Sequence, residues 1–242
     1  MIKCQKILYL LIMARNCMRK VKFISLVAGV AFVLSFTFSC SDCGDGTPFV
    51  GGDKGNNISN YRTVNIGTQT WMAENLNYTV EGSKCYNNDP AKCGEYGRLY
   101  DWATAMNLPP SCNSGSCLDQ IQTKHRGICP VGWHIPNNDD WDDLMSQVGG
   151  SSTAGKHLKT QSGWNPYSGI ENLDTYGFSA LPGGYGRSDG SFSNVGNYGH
   201  WWSASVNNSF GAYSRYMCYI DDVADWNHSN EGGLFSVRCI QD

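Results

Sequence analysis

An α+β domain is the fold class this sequence predicts, and three observations predict it. Apolar residues recur at helical spacing only in the earlier part of the chain beyond residue 60. From Gly163 onward the chain is Gly, Asn, Ser and aromatic residues, with short apolar runs between turn signals, which read as brief strands. The composition fits neither extreme: 28 of 242 residues are glycine and 16% are charged, against averages near 7% and about 25%. A coiled coil or helical bundle is thereby excluded. So is disorder, because 8 Trp, 13 Tyr and 9 Phe carry too much apolar surface to leave in water.

The first element is a hairpin. Residues 62–66 alternate polar and apolar, and Gly67-Thr68 suits a two-residue II′ turn with Gly where φ must be positive. That register sets Val64 opposite Trp71, a favourable β-branched–aromatic pair. A helix is expected over Gly94–Asn107, with Leu99, Trp102, Ala103 and Met106 on one face and Pro109-Pro110 as its stop. A second follows Asn137 as cap, with Asp139 and Asp140 in the first turn, where the helix dipole favours anions. Trp141, Leu144, Met145 and Val148 form its apolar stripe, and Gly149-Gly150 end it. A short third helical turn is expected over 154–159. Strands are expected at 176–181, 200–205, 213–220 and 234–240. The chain thus reads as short strands and long Gly-rich loops with two or three helices.

The N-terminus reads as a targeting segment. Residues 1–39 hold six basic residues and no acidic one, and Phe23–Phe38 is an apolar run of sixteen, short of the about 20 a spanning helix needs. Met18 opens a segment of ordinary signal length and is read as the start. Cys40 after Ser39 matches a lipid-attachment cysteine, although Thr37 and Phe38 depart from the usual residues there. An uncleaved inner-membrane anchor is the alternative. Residues 40–60 are then a lipidated cysteine and a Gly-rich tether, and 61–242 the folded domain. Loss of residues 1–39 moves the net charge from −3 to −9. A polyanion is a poor partner for nucleic acid or an anionic membrane surface, so the expected membrane link is the lipid alone.

Once Cys4, Cys17 and Cys40 are set aside, eight cysteines remain, an even number that in an exported chain reads as disulfides. Cys85–Cys93 and Cys112–Cys117 each flank a short polar loop. Cys129–Cys239 would be a long-range staple, leaving Cys43 and Cys218, and Cys218–Cys239 is its main rival. Apart from Cys40/Cys43 no CxxC pair occurs, and the five histidines do not pair at i,i+4, so zinc is not expected.

Six ordered phrases carry a family resemblance. They are Val64–Asn77 (VNIGTQTWMAENLN), Tyr96–Trp102 (YGRLYDW), Cys129–Pro136 (CPVGWHIP), Tyr176–Gly184 (YGFSALPGG), Gly199–Ser205 (GHWWSAS) and Phe235–Cys239 (FSVRC). Together they resemble the Fibrobacter succinogenes major paralogous domain, over about residues 61–242. The resemblance implies export and a C-type-lectin-like fold of the kind found in formylglycine-generating enzymes, with the terminal strand returning beside the first. It implies no chemistry.

The residues themselves favour binding over catalysis. The Gly-Asn-Val-Trp-Glu-Trp segment of the formylglycine-generating enzymes is absent, and no motif marks Glu74, Glu95, Glu171 or Glu231 as a catalytic acid, so no enzymatic activity is expected. Aromatic rings with neighbouring amides suit sugars, which present C–H faces and hydroxyls. Trp164, Tyr167, Tyr198, Trp201, Trp202, Trp226 and Asn227 supply those types on segments read as loops or brief strands. A tandem Trp in a strand sends one ring in and one out, so at most one of Trp201 and Trp202 is expected to be a platform. The Glu-Pro-Asn and Gln-Pro-Asp triplets of calcium lectins are absent. No cofactor is expected beyond a structural calcium, for which Asn137–Asp140 and Asp221-Asp222 offer oxygen ligands. The expectation is an outer-membrane lipoprotein at the cell surface or in the periplasm that binds plant-wall polysaccharide or a neighbouring envelope protein. A structural scaffold is the alternative and a cryptic enzyme the third.

Overall fold

The computed structural model describes residues 53–208 and 211–242. The signal segment, Cys40, Cys43 and most of the tether lie outside the described residues. Strand β1 (Thr63–Ile66) and strand β2 (Gln69–Met72) form the expected hairpin, with Val64 opposite Trp71 and Gly67 at φ +60°. Strand β9 (Ile240–Gln241) adds to β2, and β3 (Trp133–His134) adds to β9. The all-antiparallel order is β1-β2-β9-β3, so the chain's last strand returns to the opening hairpin, beside β2.

The helix expected over 94–107 is two helices. Helix α1 spans Pro90–Tyr96, with the Asp89 side chain capping the Ala91 amide, and it stops at Gly97, whose φ is +77°. A Cβ at Gly97 would sit 2.8 Å from the Asn75 Cβ. Residues 98–100 then run extended. Leu99 bridges Lys84, and Tyr100 bridges Phe235. Helix α2 spans Trp102–Met106, capped by Asp101 and ended by Asn107 in the left-handed region. Long-range pairing of Tyr100 overrides the local periodicity.

Helix α3 (Asn138–Gln147) has the Asn137 cap in reciprocal form: the Asn137 side chain accepts from the Asp140 amide, and the Asp140 carboxylate accepts from the Asn137 amide. Helix α4 (Ser151–Leu158) starts three residues before the expected turn. No strand forms over 176–181. Asp174 and Ser179 both have positive φ, and the Asp174 carboxylate accepts from the Ser179 amide and hydroxyl, which curls the segment. Only Ala180 makes a bridge there, to Lys159.

A small hairpin, β4 (Tyr185–Gly186) with β5 (Phe192–Ser193), precedes the main sheet. That sheet is β6 (Tyr198–Asn208), β7 (Gly211–Cys218) and β8 (Ala224–Ser229), antiparallel in that order. Strand β8 occupies a segment expected to be loop. β6 lies between two hydrophobic clusters. Trp202 packs into one with Trp102, Tyr100, Ile135 and Cys239, and Trp201 into the other with Trp71, Trp141 and Phe178. Both tandem tryptophans are 0% exposed. The expectation of one ring out fails because each face of this strand meets a core.

A buried polar knot joins these layers. Arg238, 0% exposed, donates to the carbonyls of Met72, Phe178 and Ser179 and twice to the Asn75 side-chain oxygen. The same oxygen accepts the Trp201 indole N–H at 2.8 Å, while the Asn75 amide donates to the Tyr96 carbonyl and the Ser236 hydroxyl. Disulfides join Cys85–Cys93, Cys112–Cys117 and Cys129–Cys239. The rival pairing of Cys218 with Cys239 is thereby overturned, and Cys218 is a buried free thiol.

Candidate functional site

Strand alternation and register put Tyr198, His200 and Trp202 of β6 on one face of the main sheet, with Ser214 and Tyr216 of β7 and Asp225, Asn227 and Ser229 of β8. At the solvent side of that face lies a cleft of about 320 Å³ lined by Tyr185, Asn194, Tyr198, His200, Asn227, Ser229 and Phe235. Tyr185 comes from the small hairpin and Phe235 from the returning segment, so five separate stretches of chain contribute. Gly184 makes this possible. It turns at φ +65° and bridges Gly199, where a Cβ on Gly184 would meet the Ser193 carbonyl and Val195 amide.

His200 is the hub. Its ring stacks on Tyr198 (centroids 5.8 Å apart), Tyr216 (5.7 Å) and Phe235 (4.9 Å), and Tyr185 meets it edge-on at 5.2 Å. The residue is 9% exposed, and its buried Nδ1 has no hydrogen-bond partner. Burial holds the imidazole down to about 4 from its usual 6.5, so it is neutral at physiological pH. At the rim the Asn194 amide donates to the Tyr185 hydroxyl at 3.2 Å. The neighbouring Cys218 is the main cause that lifts the Tyr198 hydroxyl to about 12. Across the floor the Ser214 and Ser229 hydroxyls are 2.9 Å apart.

A pH dependence of stability follows. The native state resists protonating His200 until about pH 4, whereas the unfolded chain takes the proton near 6.5. The neutral ring's contribution is complete above about pH 6.5 and is lost as the pH falls toward 4, on the order of 3 kcal/mol in total. Urea titrations at several pH values should therefore show wild type losing ground between about pH 6.5 and 4 relative to His200→Phe. Parallel curves for the two proteins would refute it.

Of the seven residues expected to bind, the structure brings Tyr198 and Asn227 together in the cleft. It removes three. Trp201 and Trp202 are core residues, and Trp164 is 9% exposed, its indole donating to the Ala180 carbonyl and its ring lying under the Lys159 ammonium. Tyr167 is exposed, edge-on to Tyr219, away from the cleft's lining. Trp226, 50% exposed, stands on the opposite sheet face in a cluster with Tyr213 and His228, with centroid separations of 4.5–5.6 Å. Tyr185, Asn194, His200, Ser229 and Phe235 escaped the sequence reading. The period of two from Tyr198 points to His200, but nothing local joins the other segments to it.

The oxygen clusters have other occupations. Asn137–Asp140 is the start of α3. At Asp221-Asp222 the buried Lys159 ammonium donates to the carbonyls of Cys218 (2.9 Å) and Asp221 (2.6 Å), supplying a cation from within the chain. Among the described residues no group of three or more His, Cys, Asp or Glu could hold a metal ion. Glu74 is paired with Lys54 and Arg62, and Glu95 with Lys92. Gly186–Gly190 (GRSDG) spells Gly-x-Ser-x-Gly, although no such elbow is expected from the sequence. Here it is the end of β4 and the exposed turn that follows it in the β4–β5 hairpin, not the strand-to-helix elbow a serine nucleophile uses. Among the described residues no helix is long and apolar enough to cross a membrane.

Fold and cleft define an α+β domain built on antiparallel sheets and stapled by disulfides, with an uncharged aromatic cleft over its main sheet. The chain belongs to the Fibrobacter succinogenes major domain family, whose model matches residues 64–241. No curated protein and no solved structure matches it.

Proposed function

We propose that the protein is an exported, lipid-anchored binding module of the outer membrane, carrying a C-type-lectin-like domain whose cleft takes a polysaccharide, with plant-wall polymers as the first class to test. The return of β9 to the opening hairpin and the Cys129–Cys239 staple support that architecture. Export is supported by the basic-then-apolar leader and by three disulfides, which persist in oxidising compartments.

The observation that carries the binding reading is the cleft's chemistry. Tyr185 and Tyr198, both partly exposed, supply flat faces for sugar C–H groups, backed by the buried rings of His200 and Phe235. Asn194, Asn227 and Ser229 supply donors and acceptors for hydroxyls. Its volume of about 320 Å³ sits at the small end of ligand sites, which suits one or two sugar rings of a longer chain. The test is affinity electrophoresis of the full chain carrying Cys40→Ser through gels containing wall polysaccharides. Retardation is expected, and the Tyr198→Ala, Asn227→Ala double variant should weaken it by at least about tenfold. A chain that no polysaccharide retards would turn the assignment to a scaffold.

The exposed Tyr213–Trp226–His228 cluster favours that second reading, an envelope scaffold that docks a protein on the opposite sheet face. Loss of an envelope complex in Trp226→Ser, with cleft variants unaffected, would single it out.

A further inference from the structure

We infer that the sugar unit held in the cleft is uncharged and that the imidazole of His200 meets one of its hydroxyls, an inference that rests on the reading of the cleft as a saccharide site. Three observations lead there. None of the seven lining residues carries a formal charge at neutral pH. Arg187, which is not a lining residue, lies over the Tyr185 ring at 5.4 Å and gives its N–H groups to the Ser193 and Tyr185 hydroxyls. The nearest acid on the sheet, Asp225, stands beside Tyr216 in the β7–β8 register. A uronate carboxylate in this cleft would give up water for ring faces and two amides, with no cation among the lining residues to compensate it.

The second observation is the unpartnered nitrogen. Tyr198, Tyr216, Phe235 and Tyr185 surround His200, and none of them satisfies its Nδ1. A phenylalanine there would complete the stack without burying a polar atom. Because Nδ1 is sealed among these rings, the imidazole's usable hydrogen-bonding capacity is at Nε2, which is neither sealed nor bonded to any other described residue. The third observation concerns which ligand group can use it. A neutral imidazole nitrogen is a donor or an acceptor according to the tautomer, and a hydroxyl is both, so it satisfies Nε2 in either tautomer, whereas a carboxylate only accepts. Burial keeps the ring neutral well into the acid range, so hydroxyl recognition persists there.

The test uses the full chain with Cys40→Ser, in gels of hydroxyethyl cellulose, xyloglucan, galactomannan and polygalacturonate, at about pH 7 and about pH 5.5. Retardation is expected on at least one neutral polymer, equal at both pH values, and none on polygalacturonate. His200→Phe should weaken it by at least about tenfold while leaving the near-ultraviolet circular dichroism unchanged. A second measurement needs no binding by a variant. With histidine ring ¹⁵N labels, xyloglucan oligosaccharide, or the oligomer of whichever neutral polymer retards the chain, should shift the His200 ring resonances, assigned by their absence from His200→Phe. Retardation by polygalacturonate alone would overturn the uncharged ligand. His200→Phe binding like wild type, or unmoved ring resonances at saturation, would overturn the role of His200, with the cleft reading intact so long as Tyr198→Ala, Asn227→Ala fails to bind. Retardation by no polymer, or retardation indifferent to Tyr198 and Asn227, would overturn the cleft reading itself and this inference with it.

Discussion

Arg238→Met should cost the fold about 3–5 kcal/mol, because it removes a buried cation around which several acceptors are arranged. The carbonyls of Met72, Phe178 and Ser179 and the Asn75 side-chain oxygen would keep their positions but lose their donor. Each buried unsatisfied acceptor is destabilising by about 1–3 kcal/mol, with partial relief from relaxation and water entry. The guanidinium also stacks 4.5 Å from the Phe178 ring, a contact the methionine only partly replaces. Burial lowers its pKa to about 9, yet it stays protonated at neutral pH, and Asp174 and Glu74 favour the charge from a distance. Arg238→Lys keeps the charge but not the fork geometry, so it should recover part of the loss and no more. Urea unfolding with an unchanged slope and a lower midpoint is the expected result. A methionine variant as stable as wild type would show that the acceptors find other partners.

This knot explains what the sequence phrases encode. Asn75 lies in the first phrase, Tyr96 in the second, Phe178 and Ser179 in the fourth, Trp201 in the fifth and Arg238 in the last, and all meet through the Asn75 and Arg238 side chains. The remaining phrase supplies Cys129 to the disulfide with Cys239. The phrases that mark the family are thus its internal frame. The cleft draws on them only through His200 and Phe235; Tyr185, Asn194, Tyr198, Asn227 and Ser229 lie outside them. Resemblance therefore reports the internal frame and the ligand hardly at all.

Local signals are legible in this sequence. The hairpin register follows from alternation plus one glycine at positive φ, and α3 from a cap and an apolar stripe, all within a dozen residues. The departures have long-range causes. Tyr100 pairs with Phe235, which breaks the apparent helix over 94–107. The rule that sends one of Trp201 and Trp202 outward holds for a sheet with one wet face, but β6 runs between two clusters. β8 is hidden because Asp221–His228 carries polar residues at most positions, as an edge strand with three exposed residues can.

The same long-range logic sets the second large effect. Converting Cys129 and Cys239 together to alanine should lower stability by about 4–5 kcal/mol on the chain-entropy account, because that bridge closes a separation of 110 residues. For a domain of this size the loss corresponds to a fall of about 10–15 °C in Tm. The other two bridges close separations of 8 and 5 residues, so the same account gives each only about 2–3 kcal/mol. Position reinforces length. Cys239 immediately precedes β9, and Cys129 lies four residues before β3, the strand that pairs with β9. The bond therefore holds together the sheet by which the chain's last strand closes onto its first hairpin, and both sulfurs lie in the cluster that receives Trp202. Calorimetry of the three paired-alanine variants checks the ranking. If removing Cys85–Cys93 or Cys112–Cys117 proved as harmful as removing Cys129–Cys239, loop closure in the unfolded chain would not be the main source of the stabilisation, and local packing around the short bridges would have to carry the difference.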